Sequence, residues 1–148
     1  MIELAASSVL EELTPIFKVI SEGKIPKAEK SYSYFARAIR GGRENLENDR
    51  IIVSAMEKYS TVLSKHTVLD EVFKFEEEWK KRFPRINVRT RDLTMIGISK
   101  RFVADFTVES DGVGNEIGEA YYQGVPSALF SHEEARYRPT MRRVVVEV

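Results

Sequence analysis

Cysteine is absent from the 148 residues, which excludes disulfides and thiolate metal sites and suits a reducing compartment. Histidine is nearly absent. His132-Glu133-Glu134 opens like a zinc-protease helix but has no second histidine four residues on, and His66 is its only fellow, so no metal site is expected. Charge of one sign is lacking too: 23 lysines and arginines balance 23 aspartates and glutamates, so any electrostatic role depends on where charge sits. No apolar run approaches the roughly 20 residues that cross a bilayer, and no basic stretch precedes an apolar one at the start. A cytoplasmic protein without a membrane partner is the expectation.

A hydrophobic share of 43% is enough to build a core in one ordinary domain. Residues 2 to 22 set Val9, Leu13, Ile16, Phe17 and Ile20 three and four apart, the spacing of one helix face, with Pro15 as a break or a new start. A second helix is expected from Pro26 to Arg40, stopped by Gly41-Gly42, with Ala28, Tyr32, Phe35, Ala36 and Ile39 inward. A third follows Asn48 or Asp49, and a fourth carries Leu69, Val72, Phe73, Trp79 and Phe83 up to Pro84. Beyond Pro84 the period shortens to two. Arg85 to Arg91, Met95 to Ile98 and Phe102 to Val108 read as strands, with shorter ones at Tyr121-Tyr122, Ala128 to Phe130 and Val144 to Val148. The fold class expected is therefore α+β: a bundle of about four helices over 1–84, then a small, mainly antiparallel β-rich region over 85–148.

Within the expected second helix, 100° per residue gathers Lys27, Lys30, Tyr34 and Arg37 on one face, with Arg40 at its margin and Arg43 beyond the glycines. Cations displace counterions from phosphates, and an exposed tyrosine offers a stacking surface to a base. Arg85, Arg89 and Arg91 would alternate onto one face of the first strand. These nine residues form the candidate nucleic-acid surface, for RNA or single-stranded DNA. Lysine and arginine also serve simply as good helix formers and as edge-strand protection.

No catalytic set and no cofactor is expected. The glycines of Gly112-Val113-Gly114-Asn115-Glu116-Ile117-Gly118 invite comparison with a dinucleotide loop, but the third is one residue late and acids surround it, so a glycine-rich loop is expected. Glu78-Trp79-Lys80 spells a nuclease element, yet on a helix the two charges point about 200° apart. Asp105, Glu109 and Asp111 are the one cluster that could gather a divalent cation.

The stretches FARAIRGG and NDRIIVSAMEKYSTVLSKH, in a helical front part covering residues 1 to 83, resemble the small subunit of the archaeal type I-A CRISPR interference complex, the archaeal Cascade. That resemblance implies antiviral defence: a non-enzymatic subunit of a ribonucleoprotein, held among other protein subunits and contacting guide RNA or the target or displaced DNA strand. Two alternatives stay open. One is a self-associating or partner-binding accessory protein, possibly viral; the other is a metal-dependent hydrolase on Asp105, Glu109 and Asp111.

Overall fold

A computed structural model describes residues 2–26, 30–38, 46–65, 72–108 and 110–131. Along the chain these form α1 (Ile2–Ser21), β1 (Tyr32–Arg37), α2 (Leu46–Glu57), β2 (Thr61–Val62), α3 (Val72–Arg82), α4 (Val88–Ile98), β3 (Arg101–Asp105), α5 (Asp111–Tyr122) and β4 (Ser127–Phe130). The strands make one sheet in the order β2-β1-β3-β4, and every pairing is parallel. Helices alternate with strands, so the class is α/β. The expected antiparallel arrangement is corrected: parallel neighbours need a crossover between them, and here helices supply it. Strands β1 and β2 precede Pro84, and β3 and β4 follow it, all in this sheet.

The largest local correction is the expected helix from Pro26 to Arg40, which instead contains β1. All six β1 residues are buried. A central strand covered on both faces shows no polar alternation, so its period of two is invisible, and Tyr32, Phe35 and Ala36 mimic helical spacing. The opposite error befell residues 88–98. Asn87 accepts a bond from the Thr90 N–H at 2.7 Å and caps α4 where a strand of arginines was expected. Ser110 does the same for α5, accepting from the Val113 N–H at 3.3 Å, which turns the glycine-rich segment and Tyr121-Tyr122 into helix. Helices α2 and α3 and strands β3 and β4 lie close to their expected positions. Val144 to Val148 falls outside the described residues.

The two sheet faces are packed unequally. Tyr32, Tyr34 and Ala36 point into the main core with Leu10, Leu13 and Phe17 of α1, Phe75 and Trp79 of α3, Met95 and Ile96 of α4, and Val113 and Ile117 of α5. Phe17 meets Trp79 edge-on at 4.6 Å between ring centres. On the other face Phe35 and Val62 pack on Val53 of α2. There a groove of about 360 Å³ runs past Ile51, Met56, Tyr59, Val103 and Phe130. Among the described residues no helix is long and apolar enough to cross a membrane.

Candidate active site

From β1 the chain moves to β2 on one side, then crosses back to β3 on the other. In an open parallel sheet such a reversal leaves a crevice beyond the carboxyl ends of the two central strands. On the main-core face three elements, β1, α4 and α5, bring polar groups near one another. Tyr34 on β1 is 2% exposed, its ring stacked on Phe102 of β3 at 5.8 Å and 8°. Its hydroxyl donates to Glu116 Oε1 of α5 at 2.7 Å. Asp92 of α4 lies near enough to act electrostatically on both.

Arg91 holds Asp92 in place. It is 1% exposed, with its guanidinium 5.4 Å from the ring centres of both Phe75 and Trp79. Its Nε donates to Asp92 Oδ1 at 2.9 Å and its Nη1 to Glu76 Oε1 of α3 at 2.7 Å. One oxygen of Asp92 and one of Glu116 are thus engaged, and neither remaining oxygen is buried without a partner. Each carboxyl keeps an oxygen that solvent, or a substrate, can reach.

Burial pushes Glu116 up to about 7, against the opposing bond from Tyr34. Asp92 is also raised by burial, with Arg91 pulling the other way. Burial, and then the charge of Glu116, lifts Tyr34 well above its ordinary range, so its hydroxyl keeps its proton and stays a donor. The native state therefore retains the Glu116 proton from pH about 4.5 to about 7, where the unfolded chain has lost it, and stability falls as pH rises through that window. Thermal melts from pH 5 to 8 should show this decline, and Glu116→Gln should make it shallower; an unchanged slope would remove the raised acidity.

Of the nine residues expected to form a cationic surface, the six that are described do not share one exposed face. Lys27, Arg40 and Arg43 lie outside the described residues. Lys30 is exposed and pairs with Glu12 at 3.1 Å. Tyr34 is buried in the site just described. Arg37 is buried on the opposite face of the sheet, paired with Asp49 at 3.1 Å. Arg85 and Arg89 are exposed, whereas Arg91 is buried against Asp92 and Glu76. In the acidic cluster, Asp105 is tied to Thr107, Asp111 starts α5 and Glu109 is outside the described residues. Among the described residues no three His, Cys, Asp or Glu side chains are placed to hold a metal ion. Asp92 and Glu116 escaped sequence reasoning as site residues. The available signal was the capped start of a helix at Ser110, whose second turn carries Glu116.

No family model matches the chain. It is 36% identical over 104 residues to a Methanosarcina mazei protein provisionally named 2′-deoxynucleoside 5′-phosphate N-hydrolase 1, covering 69% of this chain and 62% of that one. A Methanosarcina barkeri protein with the same provisional name is 33% identical over 110 residues, covering 72% and 67%. The 5-hydroxymethyl-dUMP N-hydrolase of Rattus norvegicus is 34% identical over 111 residues, covering 74% and 67%. The chain thus spans somewhat less than two thirds of the first of these relatives. These matches overturn the likeness to a Cascade subunit, and with it the expectations of antiviral defence, of ribonucleoprotein partners and of a protein that is not an enzyme. The relatives are named as hydrolases of nucleotides. The FARAIRGG stretch that suggested the likeness begins with the last three residues of the parallel strand β1, and a resemblance in size and order of helices fails with it.

Proposed function

Because the chain belongs to the 2′-deoxynucleoside 5′-phosphate N-hydrolase family, we propose that it hydrolyses the bond between base and sugar in a 2′-deoxynucleoside 5′-monophosphate. The observation that carries this reading is the Tyr34–Glu116 hydrogen bond beside Asp92: two half-buried carboxyl groups, each with one oxygen anchored and one open. Hydrolysis at a sugar's anomeric carbon passes through an oxocarbenium-like state, and paired carboxyl groups serve it by facing the cation and by moving the proton.

In this reading the C1′–N bond breaks with its electron pair passing to the base nitrogen. Glu116 in its ionised form faces the positive charge growing on C1′ and the ring oxygen. Tyr34 orients that carboxylate and favours its charged state. Asp92, raised by burial, gives its proton to the departing base nitrogen and recovers one from the water whose oxygen bonds to C1′. Free base and 2-deoxyribose 5-phosphate result. The 5′-phosphate would lie beyond the carboxyl ends of β1 and β3, where the first turn of α5 offers amide groups next to the small residues Gly112 and Gly114. The lack of cysteine suits such work in the cytoplasm.

The deciding assay incubates the protein with each common 2′-deoxynucleoside 5′-monophosphate, the matching ribonucleotides and the unphosphorylated deoxynucleosides, and separates free base by chromatography. Base released from at least one deoxynucleotide, and much less from its nucleoside, is the expected result. No free base from any of them would end the proposal. Tyr34→Phe should lower kcat about 10- to 100-fold, the worth of a hydrogen bond to a charged group. Its acid limb should also move to higher pH, since Glu116 loses a partner that favoured ionisation. A Tyr34→Phe profile that matches the parent would show that the hydroxyl has no part in the reaction.

A further inference from the structure

On the face of the sheet turned away from Glu116 lies a second pair of carboxyl groups. Arg37 and Asp105 are register partners, the last residues of β1 and β3, so their side chains leave the sheet on the same side. Asp49, in the first turn of α2, closes over them. Arg37 Nη1 meets Asp49 Oδ2 at 3.1 Å, with the two side chains 5% and 1% exposed. Asp105 Oδ1 accepts both from the Thr107 N–H at 3.0 Å and from the Thr107 hydroxyl at 2.6 Å. That leaves Asp49 Oδ1, fully buried, with no donor near it.

An ionised carboxylate oxygen stranded in a buried site is costly. The same atom carrying a proton is a donor, and the carboxyl of Asp105 is within hydrogen-bonding reach of Asp49. Asp105, which already accepts two hydrogen bonds on Oδ1, is the ionised member. The unit then comprises one guanidinium and two carboxyl groups with a single proton between them, and its net charge is zero. Among the described residues these three are the charged groups that act on one another here: Arg37 from β1, Asp49 from α2 and Asp105 from β3. Arg37 Nε in addition donates to the Ala38 carbonyl at 3.3 Å.

We infer that Arg37, Asp49 and Asp105 form a one-proton strut that locks the carboxyl ends of β1 and β3 together, and that it positions Glu116 for the reaction proposed above. The link to Glu116 runs through Asp105. Its bonds to Thr107 set the direction in which the chain leaves β3, and five residues after Asp105 the Ser110 cap begins the helix that carries Glu116. This positioning role rests on the proposed function; the strut itself does not.

Burial, with the bond and charge of Asp105, holds Asp49 at about 7, against the pull of Arg37. Burial alone would raise Asp105, but its bonds from Asp49 and Thr107 outweigh that and hold it below the ordinary range. The native pair therefore keeps one proton where the unfolded chain has none, between pH about 3.8 and about 7, and the contribution to stability falls across that window and is flat above it. Above pH 7 two like charges face each other, Asp49 on α2 and Asp105 at the end of β3.

The test uses Asp49→Asn, Asp105→Asn and the double variant. Either single asparagine retains a donor toward the remaining carboxylate and retains charge balance with Arg37, whereas the double variant removes both of the carboxylates that face Arg37 here. Melts from pH 4 to 8 should show a shallower decline for Asp49→Asn than for the parent, and a drop in Tm for the double variant that exceeds the summed drops of the singles. In deoxynucleotide hydrolysis the alkaline limb of kcat should move to higher pH in Asp49→Asn while KM stays put, a shift that a purely structural contact would not cause. Amide exchange at Val113 and Gly114, which needs no substrate, should accelerate in the double variant if the strut steadies α5. A parent-like decline in Asp49→Asn, or additive losses in the double variant, overturns the strut. Unchanged amide exchange together with an unmoved alkaline limb overturns the positioning role. Absence of base release by the parent protein strikes the proposed function and leaves the melts to decide the strut.

Discussion

Glu116→Gln is expected to slow release of base from a deoxynucleotide about 100- to 1,000-fold, the range for removing one group that faces charge developing in the transition state. The change is nearly isosteric. Glutamine keeps an oxygen that can accept from the Tyr34 hydroxyl, so the 2.7 Å contact and the stacking of Tyr34 on Phe102 have no reason to break. What disappears is the negative charge facing C1′. Stability should hold or improve above pH 7, because the variant no longer has to bury an ionised carboxylate. The informative result is therefore the combination: a melting temperature at or above that of the parent at pH 7.5, with activity nearly gone. A variant that melts normally and still turns over within threefold of the parent would move the reacting carboxylate elsewhere.

Arg91→Ala carries the largest expected effect on folding, a loss of about 3 kcal/mol, near the lower end for breaking a buried ion pair from one side. The lower end applies because the partner side chains of Glu76 and Asp92 retain 19% and 21% exposure, so water can reach them in part. The loss has two sources: the carboxyl groups of Glu76 and Asp92 lose the donor that braces them, and Phe75 and Trp79 lose the guanidinium lying against their rings. Arg91→Lys would keep the charge but cannot span both carboxylates with a planar fork, so it should recover part of the stability and little of the placement of Asp92. Urea denaturation of the three proteins checks this order. Equal midpoints for the parent and Arg91→Ala would mean that the buried arginine contributes nothing.

These two residues show why the site was hard to see in the chain. Arg91 was legible as a cation and Glu116 as one acid in a glycine-rich stretch, but both were assigned to the wrong local structure. Reading Arg85 to Arg91 as a strand put Arg91 on an exposed face; in α4 it turns inward under Phe75 and Trp79. Reading Gly112 to Gly118 as a loop left Glu116 without a direction. As part of α5 it points back at Tyr34, a residue 82 positions earlier. Tyr34 reads from the sequence as an exposed ring on which a base could stack; the structure buries it and uses its hydroxyl as a donor to Glu116. Helices α2 and α3 and strands β3 and β4 were readable because their patterns are ordinary: amphipathic turns, or alternation bounded by turns.

By itself the sequence determined what this protein cannot use and where several elements run. It has no thiol chemistry and no membrane-length apolar segment, and its apolar content suffices for a core; each follows from composition, which folding does not alter. Tertiary structure alone decided that β1 is a strand, that the sheet is parallel, and that Tyr34, Asp92 and Glu116 meet. The reason is physical. A strand covered on both faces loses the polar alternation that identifies it, and a parallel sheet brings together residues from separate crossovers, so the contacts that make the site have no counterpart in local spacing.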